Sequence, residues 1–296
     1  MYTNQINTRI LYPSFEYLEP ATSEEAVSLL EKYGEGAVVL AGGTDLFVKM
    51  KQGLIEPKYV IRIKQPDFIK QEKDGLHIGA ATKLRAIEKS DTIITRFPAL
   101  YEAVKLIGSV QIRCMATIGG NLCNASPAAD TAPPLMVLGA KVETLGSQGA
   151  REVPVEKFFV GPGKSVLGKA EILTELLIPT PREHTGTSFI RLSRASMDIA
   201  KISIAALLEL DESGKVLAAK IALGSVAPTP IMAHESEELL TGHRFSKETA
   251  IRAAQKVADE IRPITDIRGT AEYRKQVSHI IARDAFEIAY KRAGGS

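Results

Sequence analysis

The 296-residue chain has no tryptophan and only two cysteines, Cys114 and Cys123. Two cysteines exclude a disulfide framework. Two thiolates also fall short of the four ligands of an iron–sulfur cluster or a structural zinc, so no metal centre is expected on this chain. No apolar run approaches the roughly 20 residues of a membrane span. The polar start, Met1 to Arg9, lacks the apolar region of a signal peptide, so a cytoplasmic location is expected. Neither sign of charge dominates: 37 basic and 35 acidic residues leave a net charge of +2. That balance implies no nucleic acid as partner, and no nucleic-acid-binding module is visible. The histidines, His77, His184, His234, His243 and His279, show no metal-ligand spacing, and no Ser/His/Asp or paired-carboxylate arrangement stands out. With 45% hydrophobic and 24% charged residues the composition is that of an ordinary globular protein, and its length suggests about two domains.

What the chain does have is glycine beside small polar residues. Residues 117 to 134 read Thr-Ile-Gly-Gly-Asn-Leu-Cys-Asn-Ala-Ser-Pro-Ala-Ala-Asp-Thr-Ala-Pro-Pro. This run is too small and polar for a core element. Gly119 and Gly120 allow a ligand close to the backbone, and Thr117, Asn121, Asn124, Ser126 and Asp130 supply hydroxyls, amides and a carboxylate. Upstream, Val38-Val39-Leu40 reads as a buried strand, Ala41-Gly42-Gly43-Thr44-Asp45 as a glycine turn and Leu46 to Met50 as a helix. Strand, turn and helix aim backbone N–H groups at an anion. Two such loops suit one large diphosphate ligand gripped from two sides; two ordinary glycine turns are the alternative. A doubly wound NAD domain fits poorly. The first loop lacks the G-x-G-x-x-G spacing, and Ile61-Arg62-Ile63 stands where an acidic residue should end the next strand.

The remaining pattern gives an organisation. Thr22-Ser23-Glu24-Glu25 is a capping box opening a helix through Tyr33. Tyr59 to Ile63 reads as a strand that completes a first lobe ending near residue 60. Leu76 to Thr82 opens a second lobe as a strand, followed by helical stretches at 83–90 and 99–107 and strands at 141–145 and 172–178. Pro179-Thr180-Pro181 and a polar link, Arg182 to Ser188, mark a domain boundary. Strands at 189–192, 202–210 and 216–226 follow, then helices at 235–240, 247–261 and 271–292.

Four segments in order carry a resemblance. They are Ala41-Gly42-Gly43-Thr44-Asp45-Leu46; Ala116 to Asn121 with Ala125 to Asp130; Phe189 to Lys201; and Asp266-Ile267-Arg268-Gly269-Thr270-Ala271-Glu272-Tyr273-Arg274. Together they resemble the FAD-binding medium subunit of the molybdenum hydroxylases, the family of carbon monoxide dehydrogenase and xanthine dehydrogenase. The likeness spans the whole chain. It implies an α+β protein: a two-lobed α/β FAD-binding domain of the vanillyl-alcohol-oxidase type at 1–182 (lobes about 1–60 and 61–182), then an α+β C-terminal domain at 183–296 with a small antiparallel sheet and helices. By the same likeness Leu40, Ala41, Gly42, Gly43, Thr44, Asp45 and Leu46 bind FAD from the first lobe. Thr117, Gly119, Gly120 and Asn121 bind it from the second, the glycine loops through backbone N–H groups. Ser126 belongs to the same site, and Asp130 accepts from a hydroxyl of the cofactor. Ile107 and Leu173 contact the flavin ring, and Arg191 sits at the ring end. Asp45 and Asp130 also stand where a carboxylate caps a helix.

The resemblance further implies a flavin-dependent oxidoreductase subunit with no catalytic residues of its own. Molybdopterin cofactor would sit on a large partner subunit and [2Fe-2S] clusters on a small one, in a heterotrimer or a dimer of heterotrimers. FAD would pass electrons to an external acceptor. At Ala195-Ser196-Met197-Asp198 the chain is nearly neutral where the better-known animal enzymes are more charged, which leaves NAD, a quinone or a ferredoxin open. A free-standing flavin oxidoreductase and a non-redox nucleotide-binding module remain as alternatives. Cys114 and Cys123, which flank the second glycine loop, read as small buried residues beside a ligand.

Overall fold

A computed structural model describes residues 14–64 and 66–295; Met1 to Arg9 lies outside them. The first lobe is a parallel three-stranded sheet. Its strands are β1 (Glu16–Leu18), β2 (Ala37–Leu40) and β3 (Tyr59–Arg62), in the order β1-β3-β2. Helix α1 (Ser23–Tyr33) buries Ala26, Val27 and Leu30 against Ile61. Thr22 caps it by accepting from Glu25 N at 3.2 Å. The Glu25 carboxylate reaches back to Ala21 N at 2.7 Å rather than to Thr22 N, so the expected box closes one residue early. Helix α2 (Leu46–Lys51) leaves the sheet through the glycine turn, and Met50 packs with Leu40 and Val60.

The second lobe is antiparallel. Strands β4 (Ile69–Gln71) and β5 (Gly75–Gly79) lead into short helices α3 (Leu84–Lys89), α4 (Asp91–Arg96), α5 (Pro98–Val104), α6 (Val110–Met115), α7 (Ile118–Cys123) and α8 (Ala132–Val137). Strands β6 (Lys141–Gly146) and β7 (Gly149–Pro154), a ribbon of β8 (Phe159–Gly161) and β9 (Lys164–Ser165), and β10 (Glu171–Pro179) complete it. The large sheet runs β4-β5-β10-β6-β7. Its central strand carries a bulge between Leu173 and Glu175, and bulges re-aim side chains.

The chain then forms an antiparallel sheet of β11 (Thr185–Leu192), β12 (Ile202–Leu210), β13 (Val216–Gly224) and β14 (Ile231–Met232), in that order. Helices α9 (His234–Leu240), α10 (Lys247–Glu260) and α11 (Ala271–Arg292) cover one face. Alternation along the strands sorts the side chains. Ile204, Leu208, Ile221 and Leu223 pack with Phe286 and Ala282 of α11. Phe189, Ala205 and Ala222 turn the other way and join the core of the second lobe.

Two expectations are corrected. Residues 117–134, too small and polar to look like a core element, do contribute to the core: Ile118, Leu122 and Thr131 have no exposed surface, and α7 with the first residues of α8 makes up half of the run. The polar run Thr185–Ser188 is no link. It pairs with Glu209 to Ala206 as the first half of β11. Ser188 Oγ is satisfied by the Ala285 carbonyl at 2.7 Å, which is how a hydroxyl lies buried in a strand. No helix among the described residues is long and apolar enough to cross a membrane.

Candidate cofactor-binding site

A cleft of about 570 Å³ opens between the lobes. Ala41 to Leu46 line one wall, and Thr117, Gly119, Gly120 and Asn121 line another. Ile107, Ile112, Leu167 and Leu173 give it an apolar stretch. The glycine turn at the first wall follows directly from the strand. Gly43 holds φ at +74°, a left-handed conformation that a side chain resists. A Cβ on Gly42 would stand 2.3 Å from the Met115 carbonyl oxygen. Gly42 therefore lets the two lobes touch at the floor of the cleft.

The two glycine pairs offer different chemistry. No backbone hydrogen bond engages the N–H groups of Gly42, Gly43, Thr44 or Asp45 among the described residues. On the other wall the corresponding donors are taken. Gly119 N donates to the Ala80 carbonyl at 3.0 Å, Asn121 N to the Thr117 carbonyl at 3.0 Å, and Gly120 N to Thr117 Oγ1 at 3.0 Å. Thr117 is the N-cap of α7. The second wall thus presents shape rather than backbone donors. A Cβ on Gly119 would meet Ala80 at 2.7 Å. A Cβ on Gly120 would meet only Thr117 Oγ1, at 2.8 Å, so its absence leaves room at the cleft surface.

Polar groups converge here. Asn124 Nδ2 donates to Asp45 Oδ1 at 3.1 Å, and Lys49 Nζ donates to Asn124 Oδ1 at 2.7 Å. Asp45 makes no side-chain cap to α2, so its expected alternative as a helix cap does not apply. Glu171 lies at the cleft edge, where Arg151 grips it through two bonds of 2.7 and 2.8 Å. That pairing outweighs its partial burial and holds the carboxyl down at about 2. Cys123 also lines the cleft, and burial pushes its thiol up to about 12. Cys114 is exposed on α6, so burial beside a ligand describes only one of the two cysteines.

Leu40, Ser126, Asp130 and Arg191 do not line the cleft. Leu40 lies buried beneath the turn, and Ser126 Oγ accepts from Ala128 N at 3.2 Å. Asp130 and Arg191 find each other, with Nη1 to Oδ2 at 2.9 Å and both side chains less than a tenth exposed. The pair joins the second lobe to β11. Asp130 Oδ1 is buried without a partner among the described residues. Burial raises its carboxyl to about 6 in spite of Arg191. Thr131, not Asp130, is the N-terminal neighbour of α8, so Asp130 is no helix cap either. Asn124 belongs to the polar run of the second segment, and Lys49 is the functional candidate that the motif does not mark. The signal was present, since Lys49 stands four residues beyond Asp45, on the same side of the start of α2. Elsewhere, Glu72, Asp74 and His77 meet at the surface, closer than their spacing suggested. His77 Nε2 faces Asp74 at 3.0 Å and Nδ1 faces Glu175. Burial opposes protonation of the ring, but the two carboxylates raise its pKa.

Two lobes enclosing a cleft, with one glycine turn of unpaired N–H groups and a second glycine pair cut back for close approach, define a binding protein for an extended, anion-bearing cofactor. The comparisons give the family. Residues 13–181 match the FAD binding domain in molybdopterin dehydrogenase, and residues 187–289 match the CO dehydrogenase flavoprotein C-terminal domain. The chain is 35% identical over 283 residues to the carbon monoxide dehydrogenase medium chain of Afipia carboxidovorans, covering 95% of this chain and 98% of that one. It is 31% identical over 285 residues to the xanthine dehydrogenase FAD-binding subunit of Escherichia coli O157:H7, covering 94% and 97%. A solved carbon monoxide dehydrogenase from Hydrogenophaga pseudoflava superposes with a TM-score of 0.92 at 32% identity, covering 96% of this chain and 99% of that one. The chain belongs to the FAD-binding medium subunits of the molybdenum hydroxylases. It is a flavin-dependent oxidoreductase subunit whose cofactor is FAD.

Proposed function

We propose that FAD lies in the interlobe cleft and that this chain relays electrons between a small [2Fe-2S] subunit and an external acceptor. The carrying observation is the cleft itself: the two glycine segments, more than 70 residues apart in sequence, face one space. The N–H groups of Gly42 to Asp45 receive the diphosphate. Asn121 lends its amide, whose oxygen is already oriented by Thr131 Oγ1 at 2.6 Å. Ile107 and Leu173 exclude water from the flavin ring. Bound FAD supplies two-electron redox chemistry; the protein positions and tunes it. Asp130 and Arg191 stand behind the site as a buried ion pair that fixes β11 against the second lobe. The large partner carries the molybdopterin cofactor, and the assembly is a cytoplasmic heterotrimer or a dimer of heterotrimers. Residues 1–182 form the FAD-binding domain and 183–296 the C-terminal domain in this reading.

The visible absorption spectrum of the purified chain, with the released cofactor identified by mass, tests it. A two-band flavin spectrum and released FAD are expected. Gly120→Val provides the site-specific arm. Its side chain would project where only Thr117 Oγ1 stands near, so flavin retention should be abolished with a native circular dichroism spectrum. A colourless wild type that takes up no added FAD would refute the assignment. Normal flavin content in Gly120→Val would move the cofactor away from the second glycine pair.

A further inference from the structure

Among the described residues, the cleft lining contains one basic side chain, Lys49, set against two acidic ones, Asp45 and Glu171. Glu171 is neutralised by Arg151. Lys49 sits four residues beyond Asp45, the residue that precedes α2, so both side chains lie on the same side of the start of the helix. Across the cleft Asn124 meets both at once: its amide nitrogen donates to Asp45 and its amide oxygen accepts from Lys49. The geometry is a clasp from the first lobe to the end of α7. It is built on a backbone that pays for its shape, since the adjoining Ala125 holds φ at +47° although it is not glycine. Lys49 makes no ion pair within salt-bridge distance among the described residues, so its charge is held in place by a neutral amide. A neutral anchor fixes position without cancelling charge.

We infer that Lys49 is the counter-ion of the cofactor diphosphate, and that Asn124 positions it. The inference rests on the FAD reading above. Backbone N–H groups at Gly42 to Asp45 can orient a diphosphate, but they carry no net charge against its two negative ones. Lys49 is the cation on the same wall, one helical turn beyond Asp45. Asn124 keeps the ammonium from collapsing onto Asp45 by occupying both groups.

The test compares FAD with riboflavin, which has the ring system but no phosphate. Apo-protein of the full chain is titrated with each ligand by flavin fluorescence at several salt concentrations, in wild type, Lys49→Met, Lys49→Arg and Asn124→Leu. Lys49→Met should weaken FAD about tenfold or more, the scale of a charge-assisted hydrogen bond. It should also flatten the salt dependence of FAD binding and leave riboflavin binding unchanged. Lys49→Arg should restore most of the affinity, and Asn124→Leu should show a smaller loss, again confined to FAD. Equal FAD affinity and equal salt slope in Lys49→Met and wild type would overturn this inference alone. A loss in Lys49→Met that is as large for riboflavin as for FAD would also overturn it, marking a general disturbance of the cleft. A wild type that binds no FAD would overturn it together with the reading beneath it.

Discussion

At the residue scale, Asp130 is the most informative single group. Its carboxylate is buried, one oxygen faces Arg191 and the other has no partner among the described residues. Burial lifts its folded-state pKa from 3.8 to about 6. A raised carboxyl pKa means that between about pH 4 and pH 6 the folded state holds a proton that the unfolded state has released. Stability from this group therefore falls as pH rises through that window and is flat above it. Chemical denaturation of wild type and Asp130→Asn across pH 4 to 7 isolates the effect. Wild type should gain stability relative to the variant as pH is lowered from 6 towards 4. A relative loss over the same window would show that Arg191 holds the carboxylate ionised and that the ion pair dominates burial. This pairing was not legible in the sequence. Asp130 and Arg191 are 61 positions apart, and by the family likeness each stands separately as a cofactor contact. The first glycine turn was legible because strand, Gly-Gly and helix are consecutive, so local chemistry alone dictates its shape.

At the element scale, the packing of α11 on β11 decides how the C-terminal part holds together. Ala282, Ala285 and Ala289 leave the helix almost smooth where it meets the sheet. The approach is so close that a Cβ on Gly186 would stand 2.0 Å from the Ala289 carbonyl oxygen and 2.4 Å from Ala293 N. Both atoms are backbone, so no rotamer change relieves the clash. Gly186→Val should lower stability by about 1–3 kcal/mol or more, the range for overpacking a tight contact. Its measure is the midpoint of urea denaturation; an unchanged midpoint would mean that α11 can slide. The same contact explains why Thr185 to Ser188 reads as part of a link in the sequence. A strand that packs against helix backbone needs small residues, and small polar residues look like a loop. The α7 segment misled for a related reason. Glycine is a poor helix former, yet Gly119 is required there because a larger residue would strike Ala80. Close backbone approach overrode propensity in both places. The long helices α10 and α11 were legible, being capped by Ser246 and Thr270 and long enough for their pattern to speak.

At the scale of the whole molecule, the cleft is built for holding a cofactor. The cleft walls carry glycines, small polar groups and aliphatic side chains. Lys49, Asp45 and Glu171 are each committed to a hydrogen bond or ion pair, and the Cys123 thiol is held protonated far above neutral pH. Abstracting a proton or hydride from an organic substrate at the flavin calls for a positioned acid or base of suitable pKa, and none of the described lining residues is free for that role. The isolated, FAD-loaded chain should therefore keep its flavin oxidised when carbon monoxide, xanthine or an aldehyde is added without oxygen. The visible flavin band reads this directly. Adding the large and small partner subunits should make the same band bleach with the one substrate that suits the molybdenum site. Bleaching of the isolated chain by any of these substrates would instead make it a free-standing oxidoreductase. Failure to bleach in the complete assembly, with flavin present and dithionite able to reduce it, would break the proposed electron path between subunits while leaving the cofactor assignment intact.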